Sequence, residues 1–232
     1  MLWLWLACSG EVEKVVESEP TLLEASQEII FASTEALGAH RLRSVYEQTE
    51  YHGEDLRTQS KQVLQLDWQD WDNWQVTQLI DGEVVTQVHL MNGKCLEQVA
   101  GKYIERSDGE PYRIQLRSMW NQWDDLMRHF EPTTTWLAKG QSIIEERKVE
   151  HYQADFAKPT KNNGGLIPKS LAAEVWVDEQ TAVRLVGKVE ASLIKGPYKK
   201  EVSLLVERSE IGQSSVGERL AEQWSTIQVI QE

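Results

Sequence analysis

Cysteine, positive charge and long apolar runs are all scarce in this chain. Its 232 residues include two cysteines, and 24 lysines and arginines stand against 37 aspartates and glutamates, a net charge of −13. Because nucleic acids and anionic lipid surfaces attract basic protein surfaces, this charge argues against either as an electrostatic partner. After the first residues, no apolar run approaches the roughly 20 residues that a bilayer-spanning helix needs.

Motifs for catalysis and for metal binding are also absent from the sequence. HExxH, GxSxG, P-loop and CxxC patterns do not occur. The adjacent carboxylates Asp124-Asp125 and Glu145-Glu146 do not form an acid/base pair, because sequence neighbours point in different directions on a helix or a strand. The five histidines are scattered: His40, His52, His89, His129 and His151. We therefore expect neither an enzyme nor a metal site, and no cofactor.

The N-terminal residues carry a pattern of their own. An apolar run over residues 2–5 is followed by Leu6, Ala7, Cys8 and Ser9. A small residue before a cysteine that ends an apolar stretch resembles the lipobox of bacterial lipoproteins. The resemblance implies that residues 1–7 are the remnant of a signal peptide, that Cys8 carries the lipid, and that Ser9 directs the protein to the outer membrane. The alternative is an apolar N-terminus with an incidental cysteine.

The residues after Cys8 divide into a tether, a folded domain and a tail. Residues 8–20 are acidic, with little apolar surface to bury, and are expected to form a flexible tether. Residues 21–212 form the predicted domain. In the tail, 213–232, Ser215 and Glu218 match a capping box and predict a short helix. With Cys8 lipidated, Cys95 has no disulfide partner and is expected to be a small buried hydrophobe.

Two amphipathic helices and about eight or nine antiparallel strands are predicted in the domain. Apolar residues at helical spacing place the helices over Leu22 to about Leu37 and about Tyr112 to Phe130. Asp81-Gly82 and Asn92-Gly93 are typical two-residue hairpin turns. The strand-like runs cover about 42–51, 64–68, 74–80, 84–90, 94–99, 142–156, 172–177, 182–194 and 200–208. Because alternating runs have one apolar face and long sheets coil, we expect an α+β half-barrel, a single curved sheet whose concave apolar face the two helices cover.

Two strand motifs resemble a known family. They are Val149-Glu-His-Tyr-Gln-Ala-Asp-Phe156 and Ala173-Glu-Val-Trp-Val-Asp178. They and the order of the elements resemble the half-barrel lipid carriers of the bacterial envelope, the LolA/LolB and LppX/LprG groups. The resemblance implies a hydrophobic cavity between sheet and helices that holds acyl chains.

Candidate residues for lining this cavity come from the second helix and from the apolar face of the sheet. They are Leu116, Trp120, Trp123 and Met127 on the helix, and Leu64, Leu66, Val76, Val189 and Leu204 on the sheet. The alternative is that these residues pack together as a dry core, as aromatic stripes at helical spacing usually do. Trp68, Trp71 and Trp74 lie near a loop and are candidates for a rim of the cavity or a docking patch, because tryptophan suits surfaces that are apolar on one side and wet on the other.

The expected function is that of a lipid-anchored protein on the periplasmic face of the outer membrane. It binds or carries a lipid or a lipidated ligand, and we expect a monomer with no nucleic acid partner. The alternative is a structural or interaction lipoprotein of the envelope with the same fold and a filled, ligand-free core.

Overall fold

A single antiparallel sheet dominates the computed structural model, which describes residues 21–23, 35–99, 101–106, 121–157 and 166–227. Its eleven strands are β1 (His40–His52), β2 (Asp55–Asp70), β3 (Asn73–Ile80), β4 (Glu83–Met91), β5 (Lys94–Val99), β6 (Lys102–Arg106), β7 (Thr134–Ile144), β8 (Arg147–Phe156), β9 (Ile167–Asp178), β10 (Arg184–Lys195) and β11 (Tyr198–Ser209). Their order across the sheet is β6-β5-β4-β3-β2-β1-β11-β10-β9-β8-β7. Nearly all neighbours are joined by hairpins, and the pairing of β1 with β11 joins the two halves.

Two helices are described, and residues 112–120 of the second predicted helix lie outside the described residues. The described helices are α1 (Asn121–Arg128) and α2 (Ser214–Thr226), and a 3₁₀ turn follows α1 at Glu131–Thr133. Of the first predicted helix, only the ends at Leu22–Leu23 and Glu35–Ala36 are described, and both are helical. Among the described residues, no helix has the length and apolar character needed to cross a membrane.

The strand count is higher than the predicted eight or nine, for two reasons. The run predicted as one strand over 142–156 holds the end of β7 and all of β8, which turn at Glu145-Glu146 with φ of 50° and 61°, and the rest of β7 was not predicted. Two glutamates are an unusual choice for positive φ, so the sequence gives little sign of this turn. The second addition is β6, a five-residue edge strand that pairs on one side only.

The predicted turns at Asp81-Gly82 and Asn92-Gly93 are confirmed. In each pair both residues have positive φ, 51° and 87° in the first and 51° and 80° in the second. This is the geometry of a type I′ turn, whose twist matches that of the flanking strands. The turns therefore fix the register of β3 with β4 and of β4 with β5.

The sheet has two faces of different character, which we name the inner and outer faces. The inner face carries Leu42, Leu66 and Val206 and is packed in the main hydrophobic cluster together with α1. The outer face carries the intervening residues of the same strands, such as Asp67. A second, smaller cluster is formed by Leu37, Val149, Val183 and Leu185.

Helix α2 lies on the outer face, where the alternation of the strands predicts a wet surface. It packs against β2 and β3 through Val216 and Leu220, which are buried. Gly217 lies where a Cβ atom would come within 3.0 Å of the Gln69 Oε1 atom, so the absence of a side chain lets helix and strand approach. The predicted capping box is not formed: the helix begins after Gln213, without a side-chain capping bond. The Ser215 hydroxyl instead donates to Glu210 at 3.1 Å.

Charged side chains join α2 to the sheet. The carboxylate of Asp67, whose side chain is 8% exposed, accepts from Arg41 Nε at 2.9 Å and from Arg219 Nη2 at 2.9 Å. Arg219 also donates to Glu210 at 3.0 Å, and Arg41 Nη1 lies 3.5 Å from the same carboxyl group. Asp67 is thus the common acceptor for one arginine of the sheet and one of the helix.

Asp67→Ala is expected to lower the free energy of unfolding by about 2 kcal/mol, because it removes the buried carboxylate that two partly buried guanidinium groups share and leaves them the more exposed Glu210. The amides of α2 should exchange with deuterium faster than in the wild-type protein. Glu207→Ala is the matched control, since Glu207 pairs with Arg43 at 3.3 Å and both side chains are more than a third exposed. The control should cost under about 1 kcal/mol. Equal losses in urea titrations of the two variants would contradict this role for Asp67.

Candidate functional site: the inner-face apolar layer

The inner face carries one continuous layer of buried apolar side chains. Its members come from alternate positions of nine strands, so that the layer crosses the sheet from β5 to β8. Val88, Val175 and Val206 are fully buried or nearly so. The buried strand residues of the layer are Leu42, Leu66, Trp68, Trp74, Val76, Val88, Leu90, Cys95, Tyr152, Ala173, Val175, Val177, Val189, Ala191, Leu193, Val202, Leu204 and Val206.

Helix α1 covers part of this layer with one apolar side. Trp123, Leu126 and Met127, with Phe130 just beyond the helix, recur at helical spacing and are all buried. The Trp123 ring stacks on Trp136 of β7, with the ring centroids 6.4 Å apart and the planes at 24°. Aromatic contacts therefore fix the helix to the sheet at this point.

Polar contacts join other residues of α1 to the sheet. Gln122 accepts a hydrogen bond from the Ser44 hydroxyl at 3.3 Å and donates to the Gln62 side chain at 3.2 Å. Asp124 accepts from Arg184 at 2.9 Å. The helix is therefore tied to β1, β2 and β10, and its position over the inner face is defined by both apolar and polar partners.

Seven of the predicted lining residues come together in this layer. Six of them are no more than 7% exposed, and Leu64 is partly buried and packs against the others. The seven are Leu64, Leu66, Val76, Trp123, Met127, Val189 and Leu204. Leu116, Trp120 and the predicted anchor Cys8 lie outside the described residues. Contact of any of these residues with a ligand stays a prediction.

The three tryptophans predicted as a rim lie in different surroundings. Trp68 and Trp74 are 3% and 0% exposed, because their pairing across β2 and β3 directs both toward the inner face. Trp71 is partly exposed; its ring meets Trp68 edge-on at 5.9 Å, and its indole donates to the Glu35 carboxylate. Trp68 and Trp74 thus belong to the layer itself, and a rim role stays a prediction.

One end of the layer contains polar groups that the sequence analysis did not identify. Arg208 is buried and donates to the main-chain oxygen of Arg184. Burial, and then the charge of Arg184, lower the pKa of Arg208 to about 9. Burial, and then the charge of Arg208, lower the pKa of His40 to about 4. Arg208 continues the alternation of Val202, Leu204 and Val206 along β11. This alternation in the sequence indicates that Arg208 lies on the inner face.

No metal centre is evident in the described part of the chain, where no three histidine, cysteine or acidic side chains lie close enough to share an ion. Cys95 is buried at 1% exposure, in agreement with its expected place as a small core residue. The inner face is therefore suited to packing against apolar groups.

The outer face offers a different kind of concavity. A shallow groove of about 410 Å³ lies across β1, β11, β10 and β9, and its lining includes Glu47, Glu190 and Glu201. Serines, a threonine, alanines and the apolar residues Leu171 and Val202 complete its lining. Such an acidic lining does not suit an acyl chain, so the inner face remains the candidate site for an apolar ligand.

No family model matches the chain, and no curated protein does. The solved structures that are similar include the lipoprotein LppX of Mycobacterium tuberculosis, 14% identical over 84% of this chain and 96% of that one, with a TM-score of 0.32. LprF of Mycobacterium bovis is 12% identical over 82% and 91%, with a TM-score of 0.31. A LolA superfamily protein of Nitrosomonas europaea is 7% identical over 83% and 91%, with a TM-score of 0.26. LppX and LolA proteins are the groups that the sequence analysis names as similar.

Proposed function

We propose that this protein binds a lipid, or the acyl chains of a lipidated molecule, between the inner face of its sheet and the helices above it. We propose further that Cys8 carries a lipid anchor after removal of residues 1–7, and that residues 8–20 tether domain 21–212 to the periplasmic face of the outer membrane. The observation that carries the proposal is the inner-face layer, which is continuous over nine strands.

The size of the layer favours a ligand of considerable length. Neighbouring strands lie about 4.8 Å apart, so nine strands span roughly 40 Å. The described part of α1 has eight residues and is about 12 Å long. An extended acyl chain is a shape that can follow such a layer from strand to strand.

The margin of the layer provides a place for such a chain to enter. Leu64, Trp136, Phe156 and Leu171 are partly exposed and pack against the buried cluster. When an acyl chain contacts these side chains, apolar surface is removed from water and no polar group is displaced. This burial favours binding by about 25 cal/mol for each Å² of apolar surface.

A filled core is the second candidate, and the tight burial of the layer favours it. The clustered residues are at most 7% exposed. In that case the protein is a structural or interaction lipoprotein, and the layer serves stability alone. The two candidates differ in whether a lipid accompanies the purified protein.

The test is a lipid extraction from the full chain carrying Cys8→Ser, expressed in a bacterium. The substitution prevents covalent lipidation, so that any lipid in the organic extract was bound non-covalently. We expect about one lipid for each protein molecule, identified by mass spectrometry of the extract. An extract without lipid from well-folded protein would contradict the carrier function and favour the filled core.

The anchor has its own test in the same host. The wild-type chain is expected to yield a mature form that begins at Cys8 and carries acyl chains, seen as an increase in intact mass over the unmodified sequence 8–232. Cys8→Ser should show no such increase. An unmodified Cys8 in the membrane fraction would contradict the lipobox interpretation while leaving the inner-face site untouched.

A further inference from the structure

Three buried polar groups lie side by side on the inner face. His40 of β1 pairs in register with Trp68 of β2, and Trp68 pairs with Trp74 of β3. The three residues are 0%, 3% and 0% exposed. The centroids of the His40 and Trp68 rings are 5.3 Å apart. They form a row across three strands, which we name the His-Trp-Trp row.

Each member of the row has a ring nitrogen without a hydrogen-bond partner. These atoms are His40 Nε2, Trp68 Nε1 and Trp74 Nε1. Buried polar atoms in folded proteins are nearly always hydrogen bonded, because leaving one unpaired is costly. Three such atoms in neighbouring positions indicate a polar partner that completes them.

The hydrogen-bonding roles of the three nitrogens can be assigned. His40 Nδ1 lies 2.9 Å from the main-chain oxygen of Gly38, which can only accept, so Nδ1 carries the hydrogen. In the neutral ring Nε2 is then an acceptor. The two indole nitrogens are donors only. The missing partner therefore supplies at least one donor and two acceptor positions.

A hydroxyl group has this combination, with one donor hydrogen and two lone pairs. An ester or an ether supplies acceptors alone and leaves His40 Nε2 unpaired. An ionised carboxylate has the same deficiency. We propose that the His-Trp-Trp row is the polar end of the lipid site and binds a hydroxyl-bearing head group, an inference that rests on the proposed lipid-binding function. The hydroxyl donates to His40 Nε2 and accepts from Trp68 Nε1, and Trp74 Nε1 donates to an oxygen of the same head group.

The test compares two lipids that share one acyl chain and one ester. They are 1-monomyristoylglycerol, which has two hydroxyls, and methyl myristate, which has none. Both are titrated into the full chain with Cys8→Ser, and affinities are measured by displacement of the dye 1-anilinonaphthalene-8-sulfonate. We expect the glyceride to bind about tenfold more tightly than the methyl ester.

Variants of the row should reduce this preference. In His40→Phe the two lipids should bind about equally, because the acceptor is gone. Trp68→Phe and Trp74→Phe should each weaken glyceride binding by about fivefold and methyl ester binding by less, because the ester has acceptors for the indoles but no donor that holds it at His40. Trp136→Phe is the matched control, a partly buried tryptophan of the same layer outside the row. It should change both affinities by the same factor and keep the ratio near ten.

A spectroscopic measurement on the unsubstituted row avoids any effect of the variants on folding. The indole N–H signals of Trp68 and Trp74 should shift in NMR spectra when the glyceride is added, and much less with the methyl ester.

The possible outcomes separate this inference from the proposed function. Equal affinities for the two lipids in wild-type protein, or unchanged indole signals, would overturn the hydroxyl site while lipid binding stands. Such a result would mean that a buried water completes the row. If neither lipid binds, the proposed function fails, and the hydroxyl site fails with it.

Discussion

Trp123→Lys is expected to weaken lipid binding by about 100-fold or more while the eleven strands remain paired. Trp123 is 4% exposed and lies on α1 above the sheet, stacked on Trp136. A lysine there places a charge in the apolar layer, where an unpaired charge is strongly unfavourable and an acyl chain offers no partner. Strand pairing depends on hairpins and on main-chain hydrogen bonds that do not involve α1. Dye displacement measures binding, and far-ultraviolet circular dichroism measures the sheet.

Asp125→Lys is the matched control for this prediction. It introduces the same residue two positions away on the same helix, where the Asp125 side chain is 67% exposed and pairs with Arg128, which is exposed as well. Lipid affinity should stay within about twofold of wild type, because an exposed pair contributes little. If Trp123→Lys loses the sheet as well as the ligand, whereas the control keeps both, the layer is a core that the protein itself fills.

Acidification from pH 7 to pH 4.5 is expected to lower the free energy of unfolding by about 2 kcal/mol for each of two buried histidines. Burial and the charge of Arg208 lower the pKa of His40 from 6.5 to about 4, and burial lowers that of His89 equally. At pH 5 the unfolded chain therefore binds protons that the folded chain does not. Stability rises with pH in this window and is lost as the pH falls from 6.5 toward 4. Urea titrations at a series of pH values measure this slope.

His89→Gln should remove the contribution of one of the two histidines. The loss of unfolding free energy between pH 7 and pH 4.5 should then be smaller by about 2 kcal/mol. His52→Gln is the matched control, the same substitution at an exposed histidine at the end of β1. Asp178 does not disturb the comparison. Burial raises the pKa of its carboxyl group, but hydrogen bonds from Arg147 and Thr181 outweigh this effect and lower the pKa below 3.8, outside the window. Equal slopes in wild type and His89→Gln would contradict a neutral, buried His89.

Local patterns in the sequence account for much of the sheet. Asp81-Gly82 and Asn92-Gly93 predict their hairpins because few residue pairs accept positive φ at both positions. The alternation of Val202, Leu204 and Val206 predicts their common face. The turn at Glu145-Glu146 carries no such local signal, because its geometry is imposed by the pairing of β7 with β8. The number of strands therefore depends on long-range pairing that a single sequence does not display.

The candidate site, like the sheet, could be predicted from the sequence only in part. Trp123 and Met127 could be assigned to one side of a helix from their spacing, and Val189 and Leu204 to one face of a sheet. The His-Trp-Trp row could not be foreseen, because it depends on the register of β1 with β2 and of β2 with β3. The place of α2 on the outer face depends on contacts of Arg219 with a strand more than 150 residues earlier in the chain.

Native mass spectrometry of the full chain with Cys8→Ser tests lipid binding at the inner face most directly, when the same chain with Trp123→Lys is measured beside it. The first protein is expected to carry one non-covalent adduct with the mass of a lipid, and the second, with its sheet intact, is expected to carry none. A single unliganded mass for the first protein, or an equal adduct on both, would contradict a lipid site beneath α1.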